Sequence, residues 1–280
     1  MLFTKMQSNG NDYIYIDLHM QTLPSPRNAA IHLSDRHFGI GGDGIVLLCP
    51  SATADFRMRI FDPDGTEAEM CGNALQSSAV LYALDHKVGK NRLRVETNAG
   101  IKHVFLTWNG PQVTEVSAEI GTPDILFCGR KETICEHEIM LSGISFGNPH
   151  LVVFTDDLSD DFVFRFGPLL EKHPLFADRT NVEFCSVKDR CHFEMRTWER
   201  GCGETLSCST GSAAALVASV MAGIAERDAI VVQRGGSIRV NWSETNNTVR
   251  IYSKTRIVFR GTINETELSN DDTQELIGRN

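Results

Sequence analysis

The sequence predicts a mixed α/β protein of two related halves, each mostly β-strand around one apolar helix. The first observation is an internal repeat, in which Arg59 and Cys71 recur as Arg196 and Cys208, 137 residues later. A fixed offset over such a span indicates one structural unit used twice. The second observation is that each half contains one long, small and apolar stretch among alternating segments. With 280 residues, the chain has room for two domains of ordinary size.

In the first half, a short helix is predicted at 27–38, before a glycine-rich loop. A second helix is predicted at 72–84, where the residues are small and apolar and glycine and proline are absent after Gly72. Residues 62–65 have the composition of a turn. Strands are predicted at 13–16, 45–49, 56–61, 92–96 and 101–107.

The second half repeats this order, with a buried helix predicted at 209–221 because the segment is rich in alanine. The boundary is expected near residues 120–123. This division assigns 1–120, with a returning segment at about 263–280, to the half that carries Cys71, and 121–262 to the half that carries Cys208. Strands are predicted at 151–154, 193–198, 230–232, 237–242, 248–253 and 256–260.

Composition excludes several classes of function. The net charge of −9 argues against a nucleic-acid partner or an anionic membrane surface. No apolar run approaches the ~18 residues of a membrane span, and the N-terminus lacks the apolar core of a signal peptide, so a cytoplasmic location is expected. The eight cysteines form no Cys-x-x-Cys pair, so neither a metal site nor a disulfide framework is predicted. The glycines at 39–44 follow a helical pattern and open a strand, unlike a dinucleotide-binding loop.

Cys71 and Cys208 each stand just before the first turn of a predicted helix. Free N–H groups and the helix dipole make that position a site for anions, and the same field favours a thiolate over a thiol with its usual pKa of about 8.5. Two such termini facing each other would bind one carboxylate between them. The alternative is a pair of inert, buried cysteines left by duplication, but their matched polar surroundings favour chemistry. Two opposed thiols suit a reaction that removes a proton from one face of a carbon and returns it to the other.

Five segments of the chain resemble the diaminopimelate epimerase family of cofactor-independent amino-acid epimerases, and the similarity extends from residue 3 to about 261. The resemblance implies two pseudo-symmetric α/β domains, each a curved, mostly antiparallel sheet around a central helix, with the active site between them. It also implies a homodimer that acts on a small amino-acid substrate and needs neither a cofactor nor a metal. The matching segments are 10–12, 39–41, 64–73, 147–150 and 199–208.

By this resemblance, Cys71 and Cys208 are the acid/base pair, one removing the α-proton as a thiolate and the other donating a proton as a thiol. His150 and Glu199 would tune the cysteines or orient the α-ammonium group. The implied reaction converts LL-2,6-diaminopimelate to the meso form, for lysine and peptidoglycan biosynthesis. Backbone donors are implied at Gly72, Asn73, Ser209 and Thr210, and contacts with the distal end of the substrate at Asn11, Asn148, Asn181 and Arg200.

The chain departs from the family pattern around the substrate. Gly44 and Asp62 stand where the family usually has glutamine and asparagine, and both positions are expected to contact substrate. The residues that follow Asn73 also differ. These departures keep a second hypothesis open, a racemase of another amino acid such as histidine. A more remote hypothesis is an amino-acid-binding protein without catalysis.

Overall fold

The computed structural model describes residues 1–264. Up to residue 121 the chain forms eight strands and two helices. The helices are α1 (Pro26–Ser34) and α2 (Gly72–Asp85). The strands are β1 (Leu2–Ser8), β2 (Asn11–Asp17), β3 (Ile45–Cys49), β4 (Phe56–Phe61), β5 (Glu67–Ala68), β6 (Arg92–Thr97), β7 (Gly100–Asn109) and β8 (Gln112–Gly121).

From residue 124 the chain forms ten more strands and two more helices. The helices are α3 (Asp160–Glu171) and α4 (Ser209–Met221). The strands are β9 (Asp124–Ile134), β10 (His137–Ser145), β11 (Pro149–Phe154), β12 (Asn181–Asp189), β13 (His192–Glu199), β14 (Gly203–Thr205), β15 (Asp228–Gln233), β16 (Gly236–Trp242), β17 (Val249–Ser253) and β18 (Thr255–Thr262).

The internal repeat of the sequence is a repeat of structure. Strand β4 and helix α2 have their counterparts 137 residues later in β13 and α4. The ion pair beside each helix is repeated as well. Arg59 Nε donates to Glu67 at 2.8 Å, and Arg196 Nε donates to Glu204 at 2.6 Å. One folding unit is therefore used twice, as the offset predicts.

Helices α2 and α4 are the central helices of the fold. Every residue from Gly72 to Leu81 is buried in α2, and every residue from Ser209 to Ser219 is buried in α4. A helix buried on all sides needs small and apolar residues around its whole circumference. Both sequences meet this condition, so the sheet wraps around each helix. The predicted α/β fold with two helix-centred, mostly antiparallel halves is confirmed.

The two halves share strands along their seams. Strand β8 pairs antiparallel with β17, which places Ala118 opposite Ile251. Strand β18 pairs antiparallel with β1. In the same way, β9 pairs antiparallel with β10. The sequence division assigned 121–262 to the second half, but we propose from this pairing that β18 goes with the first. The predicted return at 263–280 lies, after Asn264, outside the described residues.

Helix α1 is shorter than the sequence predicts, because it ends at Ser34 and not at residue 38. The Asp35 carboxylate accepts hydrogen bonds from the N–H groups of His37 and Phe38, which stops the helix in favour of a turn. Gly41 then adopts φ +81°, a left-handed conformation that favours glycine. Across residues 1–264, none of the helices has the length and apolarity needed to cross a membrane.

The β8–β17 seam predicts a large stability effect at Ile251. The side chain is fully buried, so Ile251→Ala removes buried apolar volume and should lower the free energy of unfolding by about 2–5 kcal/mol. Ile101→Ala on β7, where the residue is 39% exposed, is the matched control and should cost less than about 1 kcal/mol. Denaturant unfolding of both variants measures the difference, and equal losses would contradict this account of the seam.

Candidate active site

A cavity of about 960 Å³ lies where the N-termini of α2 and α4 meet. Cys71 and Cys208 both line it. A Cβ atom added to Gly72 would collide with the Ser209 hydroxyl oxygen, so glycine at this position lets the two helix starts touch. The packing of the central helices therefore brings both cysteines to one space, as the sequence predicts.

Both thiols are at the N-cap positions of their helices. The Cys208 sulfur accepts a hydrogen bond from the Gly211 N–H at 3.3 Å. The Cys71 side chain makes no cap hydrogen bond, but the nearby N–H groups of Ala74 and Asn73 lower the pKa of its thiol. Each set of donors stabilises the thiolate more than the thiol. The remaining first-turn N–H groups have no intrahelical acceptor and are available to an anion in the cavity.

The expectation that the helix termini lower the thiol pKa values is wrong for this structure. Burial raises the pKa of Cys71 to about 11, and the Glu199 carboxylate raises it further. Burial, then Glu199, also raises the pKa of Cys208 well above its ordinary value. The cause is desolvation of the thiolate, which outweighs the backbone donors. Within the cavity, desolvation thus favours the thiol form of both residues over the thiolate.

Two predicted pairs of polar side chains repeat on the walls of the cavity. Asn73 Nδ2 donates to Asn11 Oδ1 at 2.6 Å. The counterpart bond, between Asn148 Nδ2 and Thr210 Oγ1, is 3.4 Å long. All four residues line the cavity. Each pair ties the glycine turn before a strand to the first turn of a central helix.

Asn181 and Arg200 do not line the cavity. The Asn181 amide donates to the carbonyl of Pro149 and accepts from the Arg200 N–H, each at 3.0 Å. The Arg200 guanidinium donates instead to the carbonyl of Asp178. Asn181 therefore braces two loops beside the cavity, and Arg200 extends along the surface.

Gly44 also lies outside the lining. Its φ is +142°, and a Cβ atom here would collide with the carbonyl oxygen of Phe61. Backbone conformation thus accounts for glycine at this position.

His150 lies behind Cys208, fully buried, and not on the cavity wall. Its Nδ1 is 2.8 Å from Glu183 Oε1. One ring nitrogen of His150, the Cys208 sulfur and a Glu183 oxygen all lie within 4.8 Å of one another. His150 is thus near the Cys208 thiol but does not reach the cavity wall. Glu183 was not foreseen, although one carboxylate inside an apolar strand was a visible signal.

Two arginines pair with acidic groups of the cavity. The Arg36 guanidinium is 2.6 Å from Asp12 and 2.9 Å from Asp43. The Arg234 guanidinium is 2.8 Å from Glu204. These pairs neutralise much of the charge at the two ends of the cavity.

Asp62 and Glu199 line the cavity but have no ion-pair partner within residues 1–264. Burial raises the pKa of Glu199 to about 7, against a hydrogen bond from the Thr205 hydroxyl. Burial and the neighbouring Asp64 raise the pKa of Asp62. Two carboxylates without cations in one cavity are suited to ligands that carry ammonium groups.

Several lining residues were not foreseen, although the repeat offered a signal for one of them. Tyr13 corresponds to His150 at the 137-residue offset, so the repeat places an aromatic hydroxyl near Cys71. The lining residues without a prediction include Asp12, Tyr13, Arg36, Asp43, Cys202, Glu204, Thr205, Leu206 and Arg234.

One group with metal-binding chemistry lies away from the cavity lining. The ring nitrogens of His19 and His86 each lie 2.6 Å from one oxygen of the Asp17 carboxylate. These mutual hydrogen bonds give both histidines a partner without an ion.

Known proteins resemble this chain over nearly its whole length. It is 43% identical to a diaminopimelate epimerase from Acetivibrio thermocellus, over 96% of this chain and 100% of that protein. It is 42% identical to a diaminopimelate epimerase from Desulfovibrio desulfuricans, over 92% and 96%. Among solved structures, a probable proline racemase from Agrobacterium radiobacter superposes with a TM-score of 0.73 at 14% identity, covering 94% of this chain and 92% of that one.

The structural likeness at 14% identity concerns the fold alone. The sequence comparisons are more specific than this structural likeness. The family model described as Diaminopimelate epimerase matches residues 3–126 and 143–259, which include both cysteine loops. With this match and relatives above 40% identity, the chain belongs to the diaminopimelate epimerase family of isomerases.

Proposed function

We propose that the chain interconverts LL- and meso-2,6-diaminopimelate by a two-base mechanism. Cys71 and Cys208 would exchange protons with opposite faces of one α-carbon. The observation that carries the proposal is the pair of N-cap thiols that face one cavity from two related halves. Relatives that match this chain end to end are named diaminopimelate epimerases, which supports the substrate.

The two helix N-termini would hold the α-carboxylate of the substrate. An α-proton is weakly acidic, so the carbanion needs donors where negative charge develops. The first-turn N–H groups beside Gly72 and Ser209 are fixed by the helices and need no reorganisation during the reaction. Exclusion of water around the bound substrate strengthens this field.

The unpaired carboxylates of the cavity match the charges of this substrate. Diaminopimelate carries two ammonium groups, and Glu199 and Asp62 are two carboxylates without cationic partners. An α-ammonium group beside Glu199 would neutralise the charge that raises the pKa of Cys71 and Cys208. Substrate binding would thus make a thiolate easier to form. Asp62 would hold the distal ammonium group.

The second candidate is a racemase of another amino acid, histidine first. Asp62 favours it, because a carboxylate also suits an imidazolium side chain. Asn11, Asn148, Asn181 and Arg200 remain proposed contacts for the distal end of diaminopimelate, the last two after movement of their loops. An amino-acid-binding protein without catalysis would give no reason for two thiols at matched helix starts.

We further propose a cytoplasmic homodimer that binds neither nucleic acid nor membranes. The net charge of −9 supports the second part, since it disfavours anionic surfaces. The dimer rests on the resemblance to the family.

Replacement of either cysteine should stop the reaction. Cys71→Ala and Cys208→Ala each remove one of two required proton carriers, so epimerisation should fall at least about 10²–10⁴-fold. NMR of α-hydrogen exchange in D2O, with diaminopimelate and histidine as separate substrates, measures activity and specificity together. Cys128→Ala, at an exposed cysteine outside the cavity lining, is the matched control. Exchange with histidine alone would overturn the proposed substrate, and an active single variant would overturn the two-base mechanism.

Asp62→Asn tests the contact with the distal ammonium group. The change keeps a hydrogen-bond acceptor but removes its charge, so kcat/KM for diaminopimelate should fall about tenfold, mainly through a higher KM. Asp124→Asn, at an exposed residue outside the cavity, is the control. A loss confined to kcat would count against a binding role.

Glu199→Gln should remove a pH-dependent cost of folding. The carboxyl pKa rises from 4.5 to about 7 on folding, so the folded state holds this proton more tightly. The group therefore costs the folded state nothing below about pH 4.5. The cost grows as pH rises from about 4.5 to 7 and is fully present above that range. The variant should gain on the order of 1–3 kcal/mol over the parent at pH 8 and little at pH 4. Denaturant unfolding at both pH values measures this gain, and Glu244→Gln at an exposed site is the control. A gain of equal size at both pH values would contradict the assignment.

A further inference from the structure

The two cysteines have different chemistry behind them, although their frameworks repeat. At the 137-residue offset, Tyr13 corresponds to His150 and Val46 corresponds to Glu183. Tyr13 and Cys71 line the same cavity, and the Tyr13 side chain is among the groups that lower the pKa of Cys71. A phenol is neutral at physiological pH and has no basic site to take a proton. The imidazole behind Cys208 can accept one.

The group behind Cys208 is sealed from solvent. His150 and Glu183 are both 0% exposed. One carboxylate oxygen of Glu183 bonds to His150 Nδ1 at 2.8 Å, and the other accepts from the Thr197 hydroxyl at 2.7 Å. His150 Nε2 is buried and has no hydrogen-bond partner in the described part of the chain. Since Nδ1 bonds to Glu183, Nε2 is the ring nitrogen that is left without a hydrogen-bond partner, and the Cys208 sulfur lies within 4.8 Å of one of the two ring nitrogens.

Helix α4 and the neighbouring strand fix the Glu183 carboxylate. Glu183 on β12 stands directly opposite Thr197 on β13 in the antiparallel ladder. A Cβ atom at Gly211 would collide with the Glu183 carboxylate, so this carboxylate lies against the first turn of α4. The positive end of the helix dipole stabilises a negative charge there.

We propose that Glu183 is a positioning residue that acts through His150 on Cys208 and makes the two thiols inequivalent. The inference rests on the proposed two-base function. The Glu183 carboxylate accepts the Nδ1–H bond, which selects the tautomer with a lone pair on Nε2. Nε2 then takes the Cys208 proton. At the positions that correspond to His150 and Glu183, the half that carries Cys71 has Tyr13 and Val46.

The proton moves within the buried cluster. The S–H bond of Cys208 breaks, its electron pair stays on sulfur, and a new N–H bond forms at Nε2 of His150. The imidazolium is stabilised by Glu183 on one side and by the thiolate on the other. Burial opposes loss of this proton to solvent, but it opposes the internal transfer far less, since the net charge of the cluster does not change.

Residue-specific alkylation of the whole protein tests the inference without substrate. Limiting iodoacetamide is applied across pH, and mass spectrometry reads the Cys71 and Cys208 peptides separately under single-hit conditions. In the parent, Cys208 should react faster than Cys71 at pH 7. Glu183→Gln keeps the volume and removes the charge, so the Cys208 rate at pH 7 should fall about tenfold, while the Cys71 rate changes less than about twofold. An unchanged Cys208 rate overturns the proposal.

Thr197→Val is the matched control, because it removes the other hydrogen bond to Glu183 and leaves its charge. Its Cys208 rate should stay within about threefold of the parent. Equal losses in both variants, or a parallel fall at Cys71 in Glu183→Gln, would show a merely structural role and overturn the proposal. Thermal unfolding checks that each variant is folded. Failure to epimerise diaminopimelate would refute the proposed function but leave the alkylation result decisive for Glu183.

Discussion

The contact between the starts of α2 and α4 is the constraint on which the rest of the structure depends. Gly72 lies against Ser209, and a side chain larger than hydrogen would separate the two helices. Because the contact is between helix N-termini, it brings two sets of free N–H groups and two N-cap residues to one place. The sheets around the helices, joined along β8 and β17, hold this arrangement in position. The geometry of the cavity follows from packing, before any residue is chosen for chemistry.

Two opposing electrostatic effects act on the cysteine sulfurs in this cavity. The helix termini favour anions, while burial and nearby carboxylates resist a second negative charge on either sulfur. A ligand that carries both carboxylate and ammonium groups would relieve both tendencies if, as proposed, its carboxylate bound the N–H groups and its ammonium group bound Glu199. The electrostatic free energy of the cavity is therefore less favourable without a zwitterionic ligand than with one. This difference is a physical basis for selecting amino acids over simple acids or amines.

Much of the fold was predictable from the sequence because the repeat and the apolar helices are strong signals. Helix α4 was predicted at its observed limits, since residues 209–221 are small and apolar throughout. The predicted helix α1 was too long. The Asp35 side chain caps the turn that follows Ser34, and the periodicity of the sequence does not show this effect. Strand β9 was not predicted because most of its residues are exposed, and β10 was not predicted because its buried run at 141–144 includes Ser142 and Gly143 and does not alternate. Within the site, the thiol positions were predictable, but their pKa values depend on burial. Asn181 was placed at the substrate by resemblance, whereas its amide is occupied by backbone groups.

The pairing of β18 with β1 has a consequence for synthesis of the chain. Strand β1 leaves the ribosome long before its partner at Thr255–Thr262, because most of the described chain lies between the two strands. Until then, one edge of β1 presents unpaired N–H and C=O groups, which other chains can join. The sheet edge at β1 therefore stays open until β18 has been synthesised, and a chain that stops before β18 exposes an edge prone to aggregation. Duplication produced two similar units, but the exchange of closing strands binds them into one folding event.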